Sequence, residues 1–352
     1  MLIRPEIKDL PEYQPGKTPK EPDVVKLASN ENPFGPSPKA LEAISKEMKN
    51  LQIYPDQKAI LLREALAKKF GISDNCIICG NGSDEVMQII TATYLSPGEE
   101  VIVSKHTFSI YELVSRIFGG TITFIDLKDY EIDLEKMAQA VTEKTKIIWL
   151  TNPNNPTGTI FNATQFDTFM KKVPENVLVV VDEAYAEFVE RRDFPDIIKH
   201  LKEEKNIIVL RTFSKFYGLA GLRIGYGIGK AELIKPMFRT KMPFNVNRLA
   251  QVGALAALED KEFLEKTFKN NCEEKRYLYA ELDKLGLEYK KTEANFIFIN
   301  LKRSADEVFV EMMKKGVIIR PLTSFGLPQA IRVSIGTKEQ NQKFIKALST
   351  SI

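Results

Sequence analysis

The sequence has little of three things, and each shortage removes a class of protein. It holds three cysteines in 352 residues, Cys76, Cys79 and Cys272. A chain of this length buries enough apolar surface to need no disulfide staples. Cys76 and Cys79 make one CxxC pair inside the apolar run Cys76-Ile77-Ile78-Cys79, and no second pair completes a zinc site. Read as a strand, that run sends the two thiols to opposite faces. Buried cysteines in a reducing compartment are therefore expected, and no metal. Net charge is nearly absent as well. The 50 basic and 47 acidic residues leave +3, which calls for neither a nucleic-acid nor a membrane partner. Long apolar runs are missing too. None approaches the roughly 20 residues that span a bilayer, and Met1-Leu2-Ile3-Arg4-Pro5-Glu6 has no signal-peptide core. A cytoplasmic protein is expected.

What is present is the composition of a globular chain, 43% hydrophobic and 28% charged, with a length that favours two domains. Pro11, Pro15, Pro19, Pro22, Pro33, Pro36 and Pro38 exclude a long helix near the start, so an extended arm is expected there. Helical patterns follow from about Pro38 to Lys49 and from Lys58 to Phe70, the second closed by Gly71. From residue 76 short apolar runs recur: Ile77-Ile78, Val101 to Val103, Ile122 to Ile125, Ile147 to Leu150, Val177 to Val181 and Ile207 to Leu210. They are continuous rather than alternating, as in strands covered on both faces, and helical stretches separate them. That rhythm predicts an α/β fold with a largely parallel sheet, whose ligands bind beyond the carboxyl ends of the strands. A long helix is expected from Arg248 to about Leu285, broken near Glu259-Asp260. Strand-like runs 296–299 and 331–335 flank a helix near 305–315 and predict a second, smaller α/β domain. The expected division is an arm over 1–44 that partly joins the small domain, a large domain over 45–245 and a small domain over 246–352.

Four motifs follow the apolar runs. Gly80-Asn81-Gly82-Ser83-Asp84-Glu85 before a helical pattern suits a phosphate cradle, because helix-terminal amides point at an anion that the glycines let approach. It also suits an ordinary turn capped by Ser83 or Asp84. Asn152-Pro153-Asn154-Asn155-Pro156-Thr157-Gly158 is a rigid turn that presents the Asn155 amide as a donor, or a turn and nothing more. Asp182-Glu183-Ala184-Tyr185 puts a carboxylate after a wholly apolar strand. Such a charge is costly without a cation to meet it, such as a protonated pyridine nitrogen, although helix capping would also place it there. Thr212-Phe213-Ser214-Lys215, with Gly221-Leu222-Arg223 following, puts an amine where desolvation lowers its pKa and makes it nucleophilic. A solvated surface lysine is the alternative.

Taken in order, these motifs resemble those of the fold-type I pyridoxal-phosphate aminotransferases, the aspartate aminotransferase superfamily, over essentially the whole chain. The resemblance implies a three-layer α/β/α large domain, a smaller α/β domain and pyridoxal 5′-phosphate as cofactor. It makes Lys215 the Schiff-base lysine and proton shuttle. Asp182 becomes the partner of the pyridinium nitrogen, keeping the ring an electron sink. Tyr185 and Asn155 would bond the ring's 3′-oxygen. Gly82, Ser83, Asp84, Thr212, Ser214 and Arg223 would surround the phosphate, Arg223 with its bidentate fork. Phe108 matches the residue that stacks on the ring. Tyr54, in Ile53-Tyr54-Pro55-Asp56, resembles the tyrosine that reaches the phosphate from the neighbouring subunit, which implies a homodimer. His106 is assigned no role.

Within that superfamily Tyr13-Gln14-Pro15-Gly16, the run Leu27 to Ser37, Gly316 to Pro321 and Ile331 to Gly336 resemble the histidinol-phosphate aminotransferases. Those enzymes exchange an amino group between L-histidinol phosphate and 2-oxoglutarate, a step of histidine biosynthesis. Arg332 would then hold a carboxylate in one half-reaction and a phosphate in the other, with Arg320 assisting and with Tyr13 and Asn30 closing from the arm. Aromatic aminotransferases and threonine-phosphate decarboxylases share the scaffold. A cofactor-binding regulator would need an attached DNA-binding module, which the proline-rich stretch before residue 76 does not resemble.

Overall fold

Continuous apolar runs pair with one another because their backbone amides have no other partner once water is excluded. The computed structural model describes residues 2–8, 10, 23–202 and 205–352. A short strand β1 (Val25–Lys26) comes first. The strands β2 (Ile77–Gly80), β3 (Glu100–Ser104), β4 (Thr121–Ile125), β5 (Thr145–Thr151), β6 (Leu178–Asp182), β7 (Ile207–Thr212) and β8 (Gly225–Gly229) follow. These seven form one sheet in the order β2-β8-β7-β6-β5-β3-β4. β3 to β7 run parallel. β8 is antiparallel to both β7 and β2, which returns β2 to the common direction. The carboxyl ends of β2, β5, β6 and β7 therefore lie at one edge.

Both faces of the sheet are covered. Val179 and Val181 enter one core with Phe166 and Phe169, while Leu178 and Val180 enter the other with Met87 and Trp149. Alternate residues of one apolar strand thus feed two cores, the three-layer arrangement. β4 departs from the expectation of full cover: as the edge strand it leaves Phe124 half-exposed. β8, Gly225-Tyr226-Gly227-Ile228-Gly229, was not foreseen, since three glycines weaken a strand signal. Its glycines have a steric purpose. A Cβ on Gly225 would lie 2.3 Å from the Ser83 amide nitrogen, so only glycine lets the helix Ser83–Tyr94 begin against this strand. The cysteine reading also needs correction. Cys76 lies in a 3-10 turn, Asp74–Cys76, and is only partly buried, whereas Cys79 lies in β2 and burial pushes its thiol up to about 12.

The long helical stretch is two helices, Arg248–Leu258 and Lys261–Lys284. At the break, Asp260 accepts from the Ser37 hydroxyl at 2.6 Å and the Lys39 amide at 3.2 Å, tying the start of the helix Pro38–Glu47 to this corner. Five short strands follow: β9 (Glu288–Tyr289), β10 (Phe296–Asn300), β11 (Val317–Ile318), β12 (Arg320–Pro321) and β13 (Ala330–Ser334). β12, β13, β10 and β9 pair antiparallel in that order, and β11 pairs with β1 of the arm. Leu278, Leu282, Ile297, Ile299, Val333 and Phe344 make their core, together with Leu27 and Ala28. Ala250, Ala254 and Ala257, by contrast, pack in the core of the large sheet. We propose that the division between the two domains runs inside the helix Lys261–Lys284.

Candidate active site

A cavity of about 450 Å³ opens where the carboxyl edge of the large sheet meets the arm and the small sheet. Lys215 lies just past β7. Its Nζ donates to the Ser29 carbonyl at 2.9 Å and sits 6.0 Å from the centre of the Tyr185 ring. Desolvation, assisted by the nearby charge of Arg332, lowers its pKa to about 8. A sizeable fraction of the amine is then neutral near physiological pH, the state that attacks a carbonyl.

Asp182 ends β6 and is 4% exposed. Its Oδ2 accepts from the Tyr111 hydroxyl at 2.8 Å and its Oδ1 from the Ala184 amide at 3.0 Å. Both partners are neutral, and burial pushes the carboxyl up to about 7. A buried carboxylate faced by neutral donors suits a cationic ligand atom in the cavity. Tyr185 is buried beside it, and its hydroxyl accepts from Asn30 Nδ2 at 2.9 Å.

The turn after β5 is rigid for a local reason. The Asn152 side chain donates to the Phe161 carbonyl at 3.1 Å and accepts from its amide at 3.0 Å, clasping the loop across its base. That places Asn155 with its Oδ1 accepting from Arg332 Nη1, which leaves its amide nitrogen to donate elsewhere.

Opposite lies an anion cradle. Gly82, at φ +79°, caps the helix Ser83–Tyr94, so the cap is this glycine and neither Ser83 nor Asp84. A Cβ there would come within 2.7 Å of Arg223 Nη2. Arg223, held by Asp84 at 3.1 Å, supplies full charge beside the partial charge of the helix end. Ser214 and Thr212 line the same end, and Phe108 borders the cavity.

Two arginines close the other side. Arg320 on β12 and Arg332 on β13 are direct cross-strand partners. Like charges so placed repel unless an anion sits between them. Arg332 is buried, donates to the Ala28 carbonyl at 2.7 Å and lies over the Phe296 ring at 5.3 Å. Arg320 reaches Ser324 Oγ at 3.3 Å and the Phe325 ring at 6.0 Å. Asn30, at φ +57°, is tied to Ser334 and Asn295 as well as Tyr185, so it joins the arm to both sheets.

Fourteen of the sequence-derived site residues thus line one cavity: Asn30, Gly82, Ser83, Asp84, Phe108, Asn155, Asp182, Tyr185, Thr212, Ser214, Lys215, Arg223, Arg320 and Arg332. Tyr54 does not join them. It is 74% exposed and stacks on Phe244 at 4.3 Å. Tyr13 lies outside the described residues. Sequence reasoning missed Tyr111, although an aromatic one helical turn past Phe108 was a usable signal. It also gave no role to His106, whose Nδ1 pairs with the Phe325 carbonyl at 2.6 Å.

Fold and site together bring a partly buried amine, an anion cradle and a buried carboxylate with neutral partners to one cavity at the carboxyl edge of the large sheet. Comparison with known proteins gives the class. The family described as aminotransferase class I and II matches residues 22–348, and the chain belongs to it. The histidinol-phosphate aminotransferase of Moorella thermoacetica is 45% identical, over 98% of this chain and 92% of its own length. That of Halalkalibacterium halodurans is 44% identical, over 99% and 96%. Among solved structures, the histidinol-phosphate aminotransferase of Sinorhizobium meliloti in complex with pyridoxal-5′-phosphate superposes with a TM-score of 0.90 at 27% identity, covering 99% of this chain and 97% of that one.

Proposed function

We propose that this chain transfers an amino group between L-histidinol phosphate and 2-oxoglutarate, giving imidazole acetol phosphate and L-glutamate, with pyridoxal 5′-phosphate held at Lys215. The observation that carries the substrate reading is the Arg320–Arg332 pair, cross-strand partners that both line the cavity holding the anion cradle. Both substrates of this reaction bring an anion that such a pair would accept, a carboxylate or a phosphate. The cofactor reading rests on the residues present: a glycine that leaves room beside Arg223, a buried carboxylate with neutral partners, and a lysine of lowered pKa.

When bound, pyridoxal phosphate supplies a carbonyl that condenses with amines and a ring that withdraws electron density from the substrate carbon. The chain does the rest. Gly82, Ser83, Thr212, Ser214 and Arg223 would hold the phosphate end, with the Asp84 carboxylate fixing Arg223. Phe108 would stack on the ring, and Asn155 and Tyr185 would donate to its oxygen. Asp182 keeps the ring nitrogen protonated. Lys215 Nζ would anchor the cofactor at rest and carry the proton between the substrate's α-carbon and the cofactor's C4′. Arg332 fixes the substrate's anionic end, and Arg320 and Tyr13 complete that contact. Asn30 orients the Tyr185 hydroxyl and so acts on the cofactor as well as on the substrate side.

The active unit in this reading is a homodimer in the cytoplasm. The exposed Tyr54–Phe244 stack, with exposed Leu51, Ile53 and Met242 close by in the chain, suits a second copy of the chain, whose cavity Tyr54 would enter. The decisive experiment ranks half-reactions. The cofactor-loaded enzyme is mixed separately with histidinol phosphate, phenylalanine, tyrosine and aspartate, and loss of the visible absorbance is timed. Histidinol phosphate is expected to react fastest. A faster reaction with phenylalanine overturns the substrate and leaves an aromatic aminotransferase.

A further inference from the structure

Tyr111 touches the site in a way that none of the roles above requires. It lies in the first turn of the helix Ile110–Ile117 and is 1% exposed. Its ring stacks on Trp149, with centroids 5.3 Å apart and planes 14° from parallel, and it meets Phe108 edge-on at 5.8 Å. Trp149 Nε1 donates to Ser115 Oγ at 3.2 Å, and Ser115 Oγ donates to the Tyr111 carbonyl at 2.7 Å. The ring is therefore held on its face, its edge and its backbone. What it presents from that fixed position is a hydroxyl 2.8 Å from Asp182 Oδ2. Packing alone would be served by phenylalanine; a buried hydroxyl needs a partner, and here the partner is the carboxylate facing the cavity.

We propose that Tyr111 is a positioning residue for the cofactor's ring nitrogen: its hydroxyl keeps the Asp182 carboxyl ionised and fixes its plane toward the ring. This rests on the reading of Asp182 as the ring nitrogen's partner. A donor to a carboxylate favours the charged form. Burial drives Asp182 toward the neutral acid, and Tyr111 is the foremost influence against it, followed by the Ala184 amide. Asp84, on the helix Ser83–Tyr94, and Glu183, next in the chain, push the carboxyl further up by repulsion. Around the Tyr111 hydroxyl stand Asp182, Thr151 and Tyr185. Burial lifts the phenol well above its ordinary range, so it remains a donor wherever the enzyme works. Without it the balance at Asp182 moves to the neutral acid, which forms no ion pair with a protonated ring nitrogen and so favours it less.

The test measures binding rather than turnover. Apo-protein is titrated at neutral pH with pyridoxal phosphate and with its 1-deaza analogue, in which a C–H replaces the ring nitrogen. Wild type is expected to prefer pyridoxal phosphate. Tyr111→Phe keeps the stacked ring and is expected to weaken pyridoxal phosphate about tenfold, the equivalent of one pKa unit, with the analogue unchanged or tighter. Equal weakening of both ligands, or no weakening of either, overturns the proposal. Asp182→Asn separates this claim from the one beneath it. If Asp182→Asn keeps the preference, the Asp182 reading itself fails. If it loses the preference while Tyr111→Phe keeps it, the Tyr111 proposal alone fails. Should Tyr111→Phe not fold, 3-fluorotyrosine at position 111 retains shape and hydroxyl and donates more strongly. It is expected to raise the preference, and an unchanged preference overturns the proposal.

Discussion

Asp182 and Lys215 stand at or just past the ends of two neighbouring parallel strands, whereas Arg320, Arg332 and Asn30 come from the small sheet and the arm. The first pair is set by one hydrogen-bonded ladder, with Val180 opposite Ile208 and Val181 opposite Val209. Residues buried on both faces leave that ladder no freedom to shift register. The second group is assembled from separate segments. The guanidinium of Arg332 is held by Ala28 of the arm and Asn155 of the large domain, each more than 170 residues away in the chain. A stiff ladder suits a group that stays through every turnover. A mouth built between domains suits substrates that enter and leave.

The largest effect is expected on the ladder: Lys215→Ala should lower kcat by at least about 10⁴-fold, the upper range for a positioned proton-transfer group. Undiminished transamination by that variant removes the central assignment. At the mouth, Arg332→Ala should reduce kcat/KM by ~10²- to 10³-fold for both half-reactions, since a buried charge-assisted contact is lost in each. A loss in only one half-reaction restricts Arg332 to that substrate.

The carboxylate yields a prediction in stability. Burial raises Asp182 from its ordinary value of 3.8 to about 7, so the folded apo-protein binds a proton across that window while the unfolded chain has released it. Its contribution to stability therefore falls as pH rises from about 4 to 7. At roughly 1.4 kcal/mol per pKa unit, apo Asp182→Asn should gain a few kcal/mol over wild type above pH 7, and the gain should vanish toward pH 4. Denaturant titrations at several pH values measure it, and a pH-independent difference contradicts the buried charge.

Smaller effects are expected further out. Arg320→Gln should raise KM for histidinol phosphate about tenfold while changing that for glutamate less, because Arg320 is the more exposed of the pair. Equal changes for both substrates would merge the roles of the two arginines. Smallest of all, Tyr54→Phe should weaken pyridoxal phosphate by a few-fold, read by dialysis beside sedimentation. A fully active monomer excludes Tyr54 from any neighbouring cavity.

Much of this was legible in one dimension. Continuous apolar runs such as 177–181 mark strands buried on both faces, and chemistry-bearing residues directly after them mark the carboxyl edge. The break at Glu259-Asp260 was legible as well. β8 was not, because its glycines answer to the close approach of Ser83, a contact between distant segments. Tyr111 was legible only in part: its spacing past Phe108 was a signal, but only the approach of β6 turns its hydroxyl into a partner for Asp182.

Local periodicity, and the side chains that stop each apolar run, specify the parallel strands, their common direction and most of the residues at their carboxyl ends. Only the tertiary structure decided how those residues act on one another. It set Arg320 beside Arg332, turned Asn30 onto Tyr185 and Tyr111 onto Asp182, and lowered the pKa of Lys215. Each of these depends on distance and burial between segments far apart in the chain, and a linear pattern carries neither.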